Sequence, residues 1–563
     1  MAGLPLTQVN APPRPTADPE RMIARDPNGQ RDDPVRAAHV TGDQHVTGDQ
    51  SEIARFMGDP ATHGGGVGAV ERIDTHGAMV FLAGARAYKI KRAVRFPYMD
   101  FSTLQRRKSA CEREVALNRR TARALYLGVK AIVRRKDGSL ALGGAGEPIE
   151  WAVVMRRFDQ DTLLDRMAEA GTLGLDHMHD LADAIAAFHD AAEPLAGDQA
   201  TGGGAAGLGA VIDENASELA ERPDLFPSGE AAALSAAARA ALARVGPLLD
   251  ERLAAGYVRR CHGDLHLGNV CLIDGRPTIF DAIEFNDAIA CIDVLYDLAF
   301  LLMDLEHRGL RAHGNTAFNR YLQHRDDLAG LAALPLFLSV RAAVRAKVSV
   351  SMAASQESAA KIEELHARAR RYFAEARLFL APNRPCLVVV GGLSGTGKTG
   401  VARALAPSLG RAPGAVHLRS DVVRKRRFGV HELTRLPESA YTAEASMTIY
   451  ADLLAHARTA LAAGQAVIVD AVFARAEERH TVAALATDLG VAFAGLWLEA
   501  PAWILLDRVA KRTGDASDAG PEVVRRQLRA DPGPIDWRVI DAAGTPAATV
   551  AAAEAAIAQA TRS

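Results

Sequence analysis

The segment Gly392-Leu393-Ser394-Gly395-Thr396-Gly397-Lys398-Thr399 constrains the fold more than any other stretch of the chain. It fits G-x-x-x-x-G-K-[ST], follows the apolar run 386–390 and precedes a helical pattern over 401–409. A strand that turns through such a loop into a helix belongs to a parallel α/β sheet, with the loop at the strand's carboxyl end. The glycines let the backbone curl so that successive N–H groups and the helix N-terminus face a polyphosphate. Lys398 then reaches the β- and γ-phosphates, and Thr399 offers its hydroxyl to Mg²⁺. Short apolar runs at 466–470 and 493–500 alternate with helical patterns, as a parallel sheet requires.

Two aspartates close strands of this pattern. The run 416–418 leads into Arg419-Ser420-Asp421, and the run 466–469 ends in Asp470. One could hold Mg²⁺ through water while the other accepts a proton from a substrate hydroxyl. Arg508 and Arg512 stand one helical turn apart before the polar segment 513–518, the arrangement of a lid that neutralises a transferring phosphoryl group. Arg508 fits a solvated helix face equally well.

A second phosphate-transfer pattern lies upstream. His262-Gly263-Asp264-Leu265-His266-Leu267-Gly268-Asn269 is followed by a hairpin turning at Asp274-Gly275 and then by Asp281. This is the spacing of a kinase catalytic loop with its following metal-binding aspartate. In that arrangement Asp264 orients an acceptor hydroxyl or takes its proton, while Asn269 and Asp281 offer hard oxygens to Mg²⁺ bridging the phosphates. His262 and His266 are spaced for neither zinc nor a serine triad and read as structural.

Such a site needs a lysine on its third strand. Lys89 and Lys91 share one face of the run 86–92, and Lys89 better matches the A-x-K of that strand. Its helix partner is expected to be Glu114, with Glu112 second, in a helix over 102–126. The glycine cluster 64–68 does not fit G-x-G-x-x-G and reads as a linker, which leaves the loop over the phosphates near 74–78. Glu284 and Asp287 either line an acceptor pocket or are structural.

The run 381–385, Ala-Pro-Asn-Arg-Pro, stops the preceding helices and divides the chain into units at 51–380 and 385–563. The first unit begins with three antiparallel strands over 70–92. A strand at 151–157 and long helices at 173–189, 229–255 and 294–380 follow, and the glycine-rich stretch 201–209 reads as a surface loop. Residues 1–50 lack periodicity and repeat HVTGDQ at 39–44 and 45–50, which reads as a flexible tail.

With 48% hydrophobic residues, real cores are available and wholesale disorder is excluded. The balance of 66 basic and 68 acidic residues shows no excess that a nucleic acid or a membrane surface would recruit. Five cysteines without a C-x-x-C pair fit a reducing compartment. No secretory pattern or membrane-length apolar run of about 20 residues is evident. The expected setting is cytoplasmic, with no nucleic-acid or membrane partner, and the oligomeric state is left open.

Through HGDLHLGN and IFDAIEFND, residues 51–380 resemble the aminoglycoside phosphotransferase/choline kinase superfamily. Residues 385–563 resemble the small P-loop kinases, among them gluconate kinase, chloramphenicol phosphotransferase and the zeta-toxin group. The pair is similar to bacterial fusions of the two. The resemblance implies an α+β, protein-kinase-like two-lobed domain followed by an α/β P-loop kinase domain with a parallel sheet. It implies that Asp264 is catalytic and that Asn269 and Asp281 bind Mg²⁺; Lys89 and Glu114, read from the strand and helix pattern, are expected to hold the nucleotide. In the second domain it carries the substrate-side aspartate onto Asp421 and the lid arginine onto Arg512. Asp470 and Thr399 are then left for the metal. Gly392, Ser394, Gly395, Thr396, Gly397, Lys398 and Thr399 bind nucleotide there, with Lys398 also serving transfer.

The expected activity uses ATP or GTP with Mg²⁺ and passes the γ-phosphate to a hydroxyl of a small molecule such as an antibiotic, sugar or nucleoside. Two other readings stay open: one domain catalytic and the other a nucleotide-sensing regulator, or a non-catalytic scaffold switched by nucleotide. Asp264 and Asp421 argue against the scaffold, because holding phosphate needs no base-like carboxylate.

Overall fold

A computed structural model describes residues 45–75, 77–96, 99–354 and 356–560. The first copy of the repeated hexad, with the rest of the expected tail to residue 44, lies outside the described residues.

Alternating apolar residues build the first sheet. Strand β1 (His45–Val46) and helix α1 (Ser51–Gly58) precede β2 (Val70–Asp74), β3 (Ala78–Ala83) and β4 (Arg86–Lys91). Short β5 (Val94–Phe96) and β6 (Met99–Asp100) lead to helix α2 (Leu104–Asn118), then β7 (Tyr126–Arg134), β8 (Leu140–Leu142) and β9 (Glu147–Arg156). Six strands pair antiparallel in the order β2-β3-β4-β9-β7-β8. One face buries Phe81, Ile90 and Ala152 beneath Ile53 and Met57 of α1. The other sets Leu82, Ala87 and Val153 against Cys111 and Val115 of α2. The period-2 alternation of β4 therefore turns Lys89 and Lys91 toward α2.

Residues 45–50 belong to this lobe rather than to the expected tail. β1 pairs with β5, and the Gln50 carboxamide donates to the Lys91 carbonyl and to Glu150.

The second lobe is helical: α3 (Leu164–Glu169), α4 (Leu175–Ala191), α5 (Gly204–Ala220) and α6 (Ser228–Ala254) come first. Strands β10 (Val258–Arg260), β11 (Val270–Ile273) and β12 (Arg276–Ile279), helix α7 (Asp287–Ala290) and strand β13 (Cys291–Asp293) carry the loops of interest. Helices α8 (Val294–His307), α9 (Arg311–Arg325), α10 (Leu334–Ala354) and α11 (Ala359–Phe379) complete the lobe.

The stretch expected as a glycine-rich loop instead enters α5. Its glycines permit close packing: a Cβ on Gly203 would meet Val258 at 2.7 Å, and one on Gly207 would meet Gly202 at 2.4 Å. The β11–β12 hairpin turns at Asp274 and Gly275 with φ of 51° and 77°, as a primed two-residue turn demands. By length and composition α6 is apolar enough to cross a membrane. Its Ala231, Leu234, Ala238 and Leu249 join the core of the lobe.

The third unit contains β14 (Cys386–Gly392), α12 (Lys398–Leu405), β15 (Val416–Arg419), α13 (Ser420–Arg427) and α14 (Ala443–Ala462). It continues through β16 (Val467–Asp470), α15 (Ala476–Leu489), β17 (Ala492–Glu499), α16 (Ala502–Lys511), α17 (Pro521–Arg529), β18 (Arg538–Asp541) and α18 (Pro546–Ala560). Five strands run parallel in the order β15-β16-β14-β17-β18. The chain leaves central β14 for one edge and returns by β16. It then crosses to β17 and β18, so connections diverge at the carboxyl end of β14, where open α/β sheets bind ligands. The architecture is thus a two-lobed kinase-like unit followed by a parallel α/β P-loop unit.

The units touch along the edge strand β15. Asn315 and Asn319 of α9 hydrogen-bond the main chain at Pro413, Ala415 and His417.

Candidate active site

Lys89 and Lys91, two residues apart on β4, meet α2 side by side. Lys89 Nζ lies 2.8 Å from Glu114 Oε1 and 2.6 Å from Asp281 Oδ1. Lys91 Nζ lies 2.5 Å from Glu114 Oε2 and also pairs with Glu284. Charges of opposite sign alternate through this buried cluster, which is how two ammonium groups are accommodated in a lobe core. Glu112, on another face of α2, is exposed and stands 3.8 Å from Lys108. Asp281 has φ of 66°, unusual for a residue with a side chain, and its N–H donates to the Tyr126 hydroxyl at 3.2 Å. Asn118 of α2 accepts the next N–H, that of Ala282.

The loop between β10 and β11 presents Asp264. Asn269 Nδ2 donates to its Oδ2 at 2.9 Å and to its main-chain carbonyl at 3.0 Å. Asp264 Oδ1 is buried and pairs with His266 Nε2 at 3.3 Å. Burial works against an imidazolium at His266, but the Asp264 carboxylate outweighs it and raises the pKa. His262 is structural: it faces the Phe280 carbonyl at 2.9 Å, and burial lowers its pKa.

Helix α8 holds this loop from beneath. Asp297 accepts the N–H groups of His262 at 3.1 Å and Gly263 at 2.8 Å, and lies 3.1 Å from His189 Nε2. Burial raises its carboxyl, yet these partners, His189 first, hold it at about 2. Asp304 accepts the Leu267 N–H at 3.1 Å and pairs with Arg308. Sequence reading passed over both. The available signal was two aspartates inside the apolar run of 294–305, since a carboxylate so placed must be fully hydrogen-bonded.

A cleft of about 250 Å³ opens between the lobes, lined by Val80, Leu82 and Lys89 above and by Met155, Asn269 and Asp281. Thr75, in the β2–β3 turn, also lines it, whereas the glycine cluster 64–68 does not. Asn269 and Asp281 bring oxygen donors of the hard kind that suits Mg²⁺ to one wall. Glu284 and Asp287 stand apart from the cleft lining. Glu284 is committed to Lys91, and Asp287 pairs with Arg113 and Arg260 near the surface.

In the third unit the loop after β14 needs its glycines. Gly392 has φ of 135°, and a Cβ there would meet the Leu498 carbonyl oxygen at 2.5 Å. Gly395 has φ of 90° and the Leu505 carbonyl oxygen at 2.7 Å. Gly397 (φ 89°) hands the chain to α12, which starts at Lys398 rather than at 401. Lys398 Nζ donates to the Leu393 carbonyl at 2.9 Å, and burial lowers its pKa. The Ser394 N–H is met by Gln527 Oε1 of α17 at 2.9 Å, and Thr396 turns its hydroxyl to the Leu393 carbonyl.

Thr399 Oγ1 donates to Asp470 Oδ2 at 2.5 Å. That carboxylate also lies 3.8 Å from His417 Nε2 and 3.9 Å from Arg419 Nε. Against burial, His417 and its neighbours hold the Asp470 pKa down. Asp421 goes the other way, raised by burial and by the charge of Asp470. A hydroxyl and an ionised carboxylate in contact at the end of the phosphate loop suit a hard cation.

The segment after α16 closes over α13. Arg512 donates to the carbonyls of Ser517 at 3.1 Å and Ala519 at 2.7 Å, while Arg508 reaches the Gly544 carbonyl at 3.5 Å, outside this group. Asp515 takes Arg419, and Asp518 takes Lys425 and Tyr441. Gln527 and His417 were not singled out from the sequence, because neither sits at a motif spacing.

The description Phosphotransferase enzyme family matches residues 91–334, and AAA domain matches residues 387–532. The uncharacterized protein Rv2004c of Mycobacterium tuberculosis is 31% identical over 469 residues, covering 80% of this chain and 88% of that protein. The uncharacterized protein Mb2027c of Mycobacterium bovis matches to the same extent, 31% over 469 residues. Among solved structures, a gluconokinase from Sinorhizobium meliloti is 24% identical and covers 32% of this chain and 94% of its own, with a TM-score of 0.23. A choline/ethanolamine kinase family protein from Mesorhizobium loti is 16% identical and covers 58% of this chain and 99% of its own, with a TM-score of 0.34.

Proposed function

The chain belongs to the family of the mycobacterial proteins it matches, with a kinase-type phosphotransferase unit joined to a P-loop unit, and on that premise we propose that it is an ATP- and Mg²⁺-dependent enzyme with two transfer sites. Each site passes a γ-phosphate to a hydroxyl of a small molecule, in the cytoplasm, and the working units run from 51 to 380 and from 385 to 563.

The observation that carries the reading is the convergence of Lys89, Glu114 and Asp281 on the cleft whose wall holds Asn269, itself bonded to Asp264. Glu114 orients Lys89 toward the α- and β-phosphates. Asn269 and Asp281 would hold Mg²⁺, and Asn269 also fixes the Asp264 carboxylate. Asp264 Oδ1, loosely paired with His266 Nε2 at 3.3 Å, then receives the acceptor's O–H and, as the bond to phosphorus forms, its proton. When bound, the metal supplies positive charge against the phosphate oxygens during transfer.

In the P-loop unit, Gly392, Ser394, Gly395, Thr396 and Gly397 shape the backbone that binds phosphate, and Lys398 holds its outer oxygens. Thr399 and Asp470 would hold the metal. Asp421, with a raised pKa, takes the acceptor's proton, and Arg512 anchors the closing segment and faces the transferring group. A second reading, with one unit catalytic and the other sensing nucleotide, draws on the hydrogen bonds between α9 and the edge strand β15.

The test is ATP turnover by Asp264→Asn, Lys398→Ala and the double variant across a panel of hydroxylated small molecules. Loss of a distinct substrate-dependent turnover with each single variant supports two enzymes. Loss only with Lys398→Ala reduces the central unit to a regulator, and unchanged turnover in the double variant refutes both sites.

A further inference from the structure

Helix α10 carries two arginines, one turn apart, into the interior beside the Asp264 loop. Arg341 is 3% exposed and Arg345 is 6% exposed. Arg341 donates at long range to the carbonyls of Tyr296 (3.2 Å) and Gly263 (3.3 Å). Arg345 donates to the Tyr372 hydroxyl at 3.4 Å and lies over the Tyr372 ring. Nη2 of Arg341 and both Nε and Nη1 of Arg345 are buried without a hydrogen-bond partner among the described residues. A buried guanidinium with unmade bonds is costly, and an ordered water, an ion or a ligand group completes it.

These donors surround the same aromatic ring as the Asp264 pair. The guanidinium carbons lie 4.7 Å (Arg341) and 6.0 Å (Arg345) from the Phe300 ring centroid. The His266 ring lies 5.6 Å from it, and His266 Nε2 is 3.3 Å from Asp264 Oδ1. The nearby carboxylates are already committed: Asp297 to two amides and His189, Asp304 to an amide and Arg308. Two guanidinium groups with unmade hydrogen bonds thus stand beside the Asp264–His266 pair, next to carboxylates whose own hydrogen bonds go elsewhere.

We propose that the phosphate acceptor of the kinase-like unit is itself an anion, a hydroxylated carboxylic acid or phosphate ester, whose acidic group is bound by Arg341 and Arg345 while Asp264 takes the hydroxyl. This rests on the reading of Asp264 as the base. Planar guanidinium forks match carboxylate and phosphate oxygens, and the same pair repels a polycationic aminoglycoside or a quaternary ammonium alcohol. In the reaction the acceptor oxygen bonds to the γ-phosphorus as that phosphorus parts from the β–γ bridging oxygen. The hydroxyl proton passes to Asp264, and MgADP leaves.

The experiment uses the full chain with Lys398→Ala, so that only the kinase-like unit turns over. Gluconate and glycerol 3-phosphate are compared with glucose, glycerol and glucosamine. At least one anion is expected to exceed its neutral partner in kcat/KM by at least tenfold. Arg345→Gln should bring that ratio toward one, mainly through KM, and Arg345→Lys, which keeps charge and fold, should lie between. In parallel, calorimetry on Asp264→Asn with AMP-PNP and Mg²⁺ measures binding of gluconate, glycerol 3-phosphate and inorganic phosphate, with and without Arg345→Gln. Neutral or cationic acceptors phosphorylated as well as the anions, in an Asp264-dependent way, would overturn the anionic acceptor and leave the kinase reading standing. Arg345-dependent anion binding without any phosphorylation would do the reverse. No anion binding at all overturns the proposal.

Discussion

Replacing Asn319 by leucine should loosen the edge of the parallel sheet without touching the sheet itself. Among the described residues β15 pairs with β16 alone, and its other edge is covered by side chains of α9. Asn319 Oδ1 accepts the His417 N–H at 2.7 Å and Asn319 Nδ2 donates to the Ala415 carbonyl at 3.1 Å, which also receives Asn315 Nδ2 at 3.1 Å. Leucine keeps the branching at Cγ and removes these bonds, together with those from Nδ2 to the Asn315 carbonyl and Oδ1. The Ala415 carbonyl retains Asn315, but the His417 N–H is left without its acceptor, at a cost of about 1–3 kcal/mol. At about 1.4 kcal/mol per tenfold, the His417 amide should exchange with solvent deuterium about 5- to 150-fold faster. Hydrogen exchange read by mass spectrometry over 413–419, against 467–470 as internal reference, measures this. Unchanged exchange at 417 would refute the reasoning, as would an equal acceleration in β16.

Three further outcomes are expected. Arg252 is buried between Asp293 and Asp327, with N···O distances of 2.6–2.8 Å; Arg252→Ala should cost about 3–5 kcal/mol in urea unfolding, and a loss below about 1 kcal/mol would show the carboxylates satisfied otherwise. Asp297, held at about 2 in the fold against an ordinary 3.8, contributes stability that is present above pH about 4 and fades as the pH falls toward 2. That contribution is about 2 kcal/mol, and Asp297→Asn should flatten the acid limb of the urea midpoint; an equally steep limb contradicts it. Gln527→Ala frees the Ser394 N–H, so ATP titrated calorimetrically into a Lys89→Ala chain should bind the P-loop about 2- to 10-fold more tightly. Weaker binding would make Gln527 a support for nucleotide instead.

What could be read from the sequence was whatever local spacing dictates. The phosphate loop was legible because positive φ at Gly392, Gly395 and Gly397 and the strand and helix on either side are neighbours in the chain. Lys89 and Glu114 were legible because strand and helix periodicities place their faces. Asp297 and Asp304, which hold the Asp264 loop, and Arg341 and Arg345 beside it act across 34 to 81 residues of chain, where no spacing rule reaches. The glycines at 202–207 read as a loop from composition, which is the same whether they serve flexibility or close packing; the neighbours Val258 and Ala288 distinguish the two. Likewise the second hexad carries no hydrophobic pattern, and what holds it is main-chain pairing with β5 and the side chain of Gln50.

Two independent nucleotide pockets on one polypeptide would each hold one nucleotide, so the number bound per chain distinguishes two pockets from one. Equilibrium dialysis with AMP-PNP and Mg²⁺ should give two per wild-type chain, one with Lys398→Ala, one with Lys89→Ala and none when both are replaced. A single nucleotide on the wild type, or two retained after Lys398→Ala, would contradict two independent pockets.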